Sequence, residues 1–240
     1  MSLSLIIPVK NEEEIILNTI KFLEDSWVTE IDHEIIFIDD FSNDKTWTLI
    51  SNYKSSKLNI LLLKNKKPGL GSSINTAMNN FNKDFFCIFM SDLSDNLDDL
   101  KSYYLTINNS DLDAVFGSRF IKGSNVKNYP KFKYFLNRFA NIMVGLFFMN
   151  SFNDYTNAFK IYRKDALIKL QPIVSENFNV FLELPLKIIG RKFKYKTIPI
   201  SWHGREKGIS KFKINELGSK YLFTLLYCYL EKMLIRKKND

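Results

Sequence analysis

Cysteine is scarce in this 240-residue chain. Cys87 and Cys228 both sit inside apolar runs, neither in a Cys-x-x-Cys pair nor beside a His-rich tract. A disulfide framework and a structural zinc site are therefore not expected, which suits a reducing cytosol. A secretory signal is missing too, because Met1 to Pro8 has no basic stretch before its apolar residues and no cleavage site after them, so the protein is expected to stay inside the cell. The apolar stretch Tyr221 to Ile235, 12 apolar residues of 15, is interrupted by Glu231 and Lys232. It falls short of the roughly 20 residues that span a bilayer and reads as an interfacial or docking helix, or as a core helix closing the fold. There is no internal repeat, no linker, no zinc pattern and no RNA-binding signature, so nucleic acid is not an expected partner.

Acidic residues are also scarce in one half. Residues 121 to 240 hold 23 Lys and Arg against 8 Asp and Glu, while residues 1 to 120 hold 11 against 18, so the overall +8 divides into +15 and −7. A general bias toward Lys would raise the basic count without segregating the acids. The C-terminal half is thus expected to face something anionic, a membrane surface or a phosphorylated substrate. With 45% hydrophobic residues the chain can bury the core of one large domain or of a domain with an appendage.

Short β-branched and aromatic runs alternate with helical patterns over the first 116 residues, the rhythm of a parallel sheet built from βα units. Strands are predicted at Leu3 to Pro8, Glu34 to Ile38, Asn59 to Leu63, Phe85 to Met90 and Ala114 to Phe116. Helices are predicted near Glu12 to Glu24, Lys45 to Tyr53, Gly71 to Asn80 and Leu97 to Ile107. The rhythm breaks after Gly117 with a polar connection through Gly123 and Pro130, followed by an apolar helical stretch from Phe135 to Met149. Ligands of such sheets bind beyond the carboxyl ends of the strands, so the loops after Pro8, Ile38, Leu63 and Met90 are the place to look.

In the first of these loops Asn11 suits a helix cap with Glu12 in the first turn, and both could equally meet the polar edge of a base or ribose. The second carries Asp39 and Asp40 side by side, which is costly at a buried strand end unless a cation or a donor-rich ligand offsets the repulsion. After the fourth strand, Ser91-Asp92-Leu-Ser94-Asp95 offers the hard oxygen ligands that suit Mg²⁺ or Mn²⁺. Asp98 and Asp99 just beyond it are read as favouring the start of the next helix.

Together these loops resemble glycosyltransferase family 2, and within it the dolichol-phosphate mannosyltransferase and polyprenyl-phosphate glycosyltransferase branch. The resemblance runs from about Leu3 to Phe212 through Pro8-x-x-Asn11-Glu12, Asp39-Asp40-x-Ser42-x-Asp44-x-Thr46, Gly69-Leu-Gly71, Asp92-Leu-Ser-Asp, Gly117-Ser-Arg119-Phe-x-x-Gly123 and Ser210-Lys211. It implies a GT-A-like α/β nucleotide-binding fold over residues 1 to 212, with a mostly parallel sheet flanked by helices and C-terminal amphipathic helices, residues 213 to 240 forming the last. It also implies that Pro8, Asn11, Glu12, Asp39 and Asp40 hold the nucleotide and that the acidic turn holds the metal. This chain departs from the family's Asp-x-Asp by placing Met90 where the first carboxylate belongs. A thioether suits a hard cation poorly, so Asp95, or else Ser94, is expected to complete the shell with Asp92. Asp154 to Arg163 resembles the family's acceptor-side segment and Glu183 its second acidic signature, with Arg163 otherwise expected on the surface. Trp202 to Lys211, rich in donors and glycine, suits a loop folding over phosphates, and His203 within it is read as structural.

The function this implies is inverting transfer of a hexose from a GDP- or UDP-sugar to a polyprenyl phosphate. Such an acceptor is largely dianionic near pH 7, with a second pKa of about 6, and needs no strong base. Arg205 and Lys211 are expected to neutralise the leaving diphosphate, with Arg119 and Lys133 orienting the acceptor phosphate and Asp92 acting as metal ligand first. The placement expected is cytoplasmic, peripheral on the inner face of an anionic membrane, with room for a membrane-protein partner to supply the spans that many family members carry beyond this point. The rival enzyme keeps the donor half but glycosylates a saccharide, with Asp95 or Glu183 as base. A non-catalytic nucleotide-binding module is the other alternative.

Overall fold

A computed structural model of the chain describes residues 1–204 and 214–238. In chain order the elements are β1 (Leu3–Val9), α1 (Ile16–Glu24), β2 (His33–Asp39), α2 (Thr46–Asn52), β3 (Ile60–Lys64), α3 (Leu70–Met78), β4 (Phe85–Ile88), α4 (Leu97–Asn108), β5 (Ala114–Ser118), β6 (Asn125–Lys127), α5 (Lys131–Phe148), β7 (Lys160–Arg163), α6 (Lys164–Lys169), α7 (Val180–Gly190), β8 (Tyr195–Pro199), β9 (Ser201–His203) and α8 (Ile214–Lys238). Seven strands form one sheet in the order β3-β2-β1-β4-β7-β5-β8, and β6 pairs with β9 in a small second sheet.

The sheet is the mostly parallel one expected. β1 pairs in parallel with β2 and β4, β2 with β3, and β5 with β8, whereas β7 runs antiparallel between β4 and β5. β1 and β2 are buried along their whole length, as strands covered on both faces must be. Their side chains alternate: Leu5, Ile7, Ile35 and Phe37 join the core under α1 and α4, while Ile6, Ile36 and Ile38 join the core shared with α3, α7 and α8.

Several boundaries differ from those expected, α5 for one beginning at Lys131 rather than Phe135, and two of the differences bear on the site. The first helix starts at Ile16 rather than Glu12, because Asn11 adopts a left-handed φ of 49° and the chain turns before it coils. Asn11 is consequently no helix cap. The fourth strand ends at Ile88, and Met90, partly buried, packs against the apolar core instead of reaching the site.

The last helix explains its own charges. Glu231 accepts from Arg191 Nε at 2.7 Å and pairs with the buried Lys187 at 3.5 Å, while Lys232 Nζ donates to the Phe148 carbonyl at 2.7 Å. The polar residues that interrupt the apolar run therefore point into the body, and Leu222, Phe223, Leu230 and Leu234 point out. α5, in contact with α8 through Phe147 and Tyr229 at 4.5 Å between ring centroids, is arranged the same way. Its Asn141 and Val144 face in, and Phe132, Phe135, Phe139 and Leu146 are exposed, Leu146 to 69%. Among the described residues no helix is long and apolar enough to cross a membrane.

Candidate active site

The loops after β1 and β2 are stitched to each other at the carboxyl edge of the sheet. Asn11 N–H donates to Ser42 Oγ (2.9 Å) and Asn11 Oδ1 accepts from Asn43 N–H (2.8 Å). Glu12 N–H donates to Thr46 Oγ1 (2.8 Å), and Glu13 N–H to Asp44 Oδ2 (3.1 Å). These bonds preform the rim that Pro8, on the buried end of β1 opposite Ile38, approaches from below.

Asp39 and Asp40 are buried as a pair, and the fold treats them differently. Asp40 meets Lys10 Nζ at 3.1 Å and accepts from Asn65 Nδ2 and Gly69 N–H, both at 2.8 Å. Gly69 is required there: its φ is 127°, and a Cβ would stand 2.2 Å from the Glu176 carbonyl oxygen. Asp39 has one oxygen on Ser42 N–H at 3.3 Å, and its other, Oδ1, is buried without a hydrogen-bond partner among the described residues. An unpaired buried acceptor is costly unless something donates to it, so Asp39 is the position that invites a ligand.

The acidic turn follows β4. Asp92 Oδ1 accepts from Ser94 N–H at 3.1 Å, the Ser94 carbonyl accepts from His203 N–H at 3.1 Å, and Asp95 bridges to Trp202. Asp95 is 4% exposed, and its Oδ2 has no hydrogen-bond partner among the described residues. Burial, and then the nearby negative charge of Asp92, push its carboxyl up to about 7. Two hard-oxygen carboxylates, Asp95 with one oxygen left without a partner among the described residues, fit a divalent cation that takes one or two protein ligands and completes its shell with water and phosphate. No group of three or more His, Cys, Asp or Glu gathers for a metal among the described residues. As expected, Asp98 and Asp99 lie in the first turn of α4, where Asn96 is the cap. Asp99 also anchors β9 by accepting from Ser201 N–H at 2.6 Å.

Beyond the turn lies a buried charge cluster. Arg119 Nε and Nη2 donate to Asp154 Oδ2 and Oδ1 at 2.8 and 2.7 Å, a two-pronged pair with only 7% of the Arg119 side chain exposed. Burial acts against the guanidinium charge, but Asp154 more than offsets it and holds Arg119 above its ordinary value. Phe120, Tyr129 and Trp202 present their rings to the same cation at 5.4 to 5.6 Å. Arg138 of α5 stacks on Phe120 at 4.6 Å, so a second guanidinium faces the ring that Arg119 also faces. Lys160 on β7 is fully enclosed, donates to the Tyr155 carbonyl at 3.1 Å and is pulled down to about 7 by burial.

Lys133 is exposed on the first turn of α5. Arg205, Ser210 and Lys211 lie outside the described residues. Glu183 is fully buried, with Oε1 accepting from Val174 N–H and paired with Lys187 at 3.0 Å, and Oε2 accepting from Ser175 N–H at 2.8 Å. It braces the loop that supports Gly71, and both of its oxygens are engaged by the fold. Arg163 is not a bare surface residue either, since its guanidinium donates to the Ile107 and Ser110 carbonyls at the end of α4. A cavity of about 630 Å³ opens beside Ser94 and Asp95, walled by Phe22, Trp27, Lys101 and Trp202. The β1 and β2 loops do not line it.

Residues 4–171 match the model of glycosyl transferase family 2. A dolichol-phosphate mannosyltransferase from Pyrococcus furiosus is 27% identical over 218 residues, covering 89% of this chain and 60% of the relative. A polyprenol monophosphomannose synthase from Mycolicibacterium smegmatis is 28% identical over 118 residues, 44% of each chain. The chain thus spans less than two thirds of the length of these relatives. Among solved structures, glucosyl-3-phosphoglycerate synthase from Mycobacterium tuberculosis in complex with Mn²⁺, UDP and glucosyl-3-phosphoglycerate aligns with a TM-score of 0.68 at 15% identity, over 95% of this chain and 79% of that one. The same synthase with Mg²⁺ and UDP aligns equally well, with a TM-score of 0.68. At such identity the likeness is one of fold, and that fold is GT-A-like.

Proposed function

The chain belongs to glycosyl transferase family 2, and from that premise we propose that it is an inverting, metal-dependent transferase moving a hexose from a GDP- or UDP-sugar to a polyprenyl phosphate at a membrane surface. The donor half rests on the preformed rim of Pro8, Asn11 and Glu12 and on the open acceptor of Asp39, placed to take a hydrogen bond from a base or ribose. Asp92 and Asp95 would hold Mg²⁺ or Mn²⁺, which supplies charge neutralisation for a diphosphate leaving group. Arg205 and Lys211 are assigned to the same diphosphate.

The observation that carries the lipid acceptor is the outward apolar face of α5 and α8. Asn137 and Asn141 of α5 and Glu231 and Lys232 of α8 are turned into the body, while Phe132, Phe135, Phe139, Leu222, Leu230 and Leu234 are left to the outside. An apolar face of that extent calls for a nonaqueous neighbour. Arg138 and Arg119 lie at the inner edge of α5, where a phosphate on an embedded chain would arrive, with Lys133 at its exposed start. A phosphate nucleophile is already ionised, so positioning and charge stabilisation suffice and no general base is assigned.

The test is direct. Thermal shifts with a panel of nucleotide sugars, with and without Mn²⁺, identify the donor, and transfer is then offered a polyprenyl phosphate or a free saccharide. Metal-dependent transfer to the lipid phosphate is expected. Transfer to the saccharide alone would replace this acceptor with the soluble alternative.

A further inference from the structure

Asp154 lies 35 residues from Arg119, on a segment that touches two different elements. Toward the sheet, Asn153 Oδ1 accepts from Ser118 Oγ (2.6 Å), Asp154 grips the Arg119 guanidinium and also accepts from Arg119 N–H (2.9 Å), and Asn157 Nδ2 donates to the Gly117 carbonyl (3.4 Å). Toward α5, Tyr155 N–H donates to Asn141 Oδ1 (2.6 Å), Asn137 Nδ2 donates to Thr156 Oγ1 (2.9 Å), and Arg138 Nη1 reaches the Asn153 carbonyl (3.4 Å). Asn141 is itself fixed, because its Nδ2 donates to both the carbonyl and the Oδ1 of Asn137, at 2.8 and 2.6 Å. The inward polar residues of α5 thus all reach residues 153 to 156, and those residues in turn hold the end of β5.

Asn141 and Asp154 are both buried, so neither bond can be exchanged for water at low cost. Bonds to one rigid helix on one side and a two-pronged ion pair on the other leave the segment little freedom to move independently of α5. We infer that helix α5 sets the position of the Arg119 guanidinium, with Asn141 and Asp154 as positioning residues between them. The helix that carries the apolar outer face is then also the one that aims the cation assigned to the acceptor phosphate. That last assignment rests on the function proposed above; the linkage does not.

Two readouts on the full chain separate them. The first is the ¹⁵Nε–¹Hε resonance of Arg119, identified by its loss in Arg119→Lys. Asn141→Leu, which removes all three of its side-chain bonds without touching Arg119, should shift it. The second is kinetic: Asn141→Leu and Asp154→Asn should raise KM for polyprenyl phosphate about tenfold or more, since small misplacements of a positioning group have effects of that size. Nucleotide affinity should stay unchanged. If Asn141→Leu does not fold, Asn137→Ala, which removes the bond to Thr156, should shift the same resonance in the same direction by less. A resonance left in place while Tm falls would overturn the inference and leave Asn141 a packing residue. A shifted resonance with unchanged acceptor KM would uphold the linkage and remove Arg119 from the acceptor site instead.

Discussion

Asp40 accepts hydrogen bonds from Asn65 and Gly69 and pairs with Lys10, while Asp39, its neighbour at the end of β2, keeps a buried oxygen with no donor among the described residues. Adjacent carboxylates at a strand end had suggested one shared ligand for both. The fold provides its own cation and donors for Asp40 and leaves only Asp39 open.

The two substitutions should therefore separate. Asp39→Ala is expected to weaken nucleotide binding tenfold or more, the cost of one buried hydrogen bond to a ligand being about 1.5 kcal/mol, with little change in Tm. Asp40→Ala should instead lower stability by about 1–3 kcal/mol by stranding the Asn65 and Gly69 donors. Denaturant melts beside nucleotide titrations measure both. Equal losses of affinity at matched stability would return Asp40 to the ligand.

Metal affinity should depend on pH through Asp95, whose carboxyl is pushed up to about 7. A cation binds the carboxylate, so affinity should fall by up to about tenfold per pH unit below 7 and level off above it. The apo protein should show the opposite sign. The folded state holds this proton more tightly than the unfolded one, so the contribution of Asp95 to stability is greatest at low pH and declines as pH rises from about 4 to 7. Asp95→Asn should abolish both trends. Mn²⁺ titrations at pH 5.5, 6.5 and 7.5 decide the matter, and an unchanged slope in the variant would hand the second ligand position to Ser94 or water.

Periodicity in the first 116 residues made five strands and four helices legible, because alternating apolar residues in β1 and β2 serve two cores at once. β7 stayed hidden because it begins with Lys160, a residue that suggests solvent, here enclosed by the carbonyls of Tyr155 and Asn157. The Arg119 and Asp154 pair was equally invisible, since nothing local marks two charges 35 residues apart as partners. Glu183 and Lys187 did leave a trace: two opposite charges four apart inside an otherwise apolar helix are the mark of a buried pair.

That pair bears on the rival mechanism. Because both oxygens of Glu183 are held by Val174, Ser175 and Lys187, Glu183→Gln should act on folding. Breaking a buried ion pair while its partner remains enclosed costs roughly 3–5 kcal/mol. Whatever fraction stays folded at low temperature should keep the wild-type pH–rate profile. A stable variant with no activity would restore Glu183 as a base.

The outward face of α5 and α8 gives the remaining prediction. Phe135, Leu230 and Leu234 are mostly exposed, so serine at these positions removes little the folded chain packs and should lower Tm only slightly, by the weaker helix propensity of serine. If the face enters a bilayer, each side chain contributes up to about 1.5–3 kcal/mol of transfer. The triple variant should then lose sedimentation with anionic liposomes almost completely. Basic residues near the same surface, including Lys127, Lys131 and Lys133, should add a part that high salt removes, at about 1 kcal/mol each. Glu231→Gln serves as the contrast, because Glu231 turns inward to Arg191 and Lys187, and its loss should loosen α8 from α7 rather than act on the lipid directly. A second copy of the chain is the competing occupant. Sedimentation velocity distinguishes the two: a wild-type dimer that the triple variant dissolves, with no liposome binding by either protein, would make this face a subunit interface.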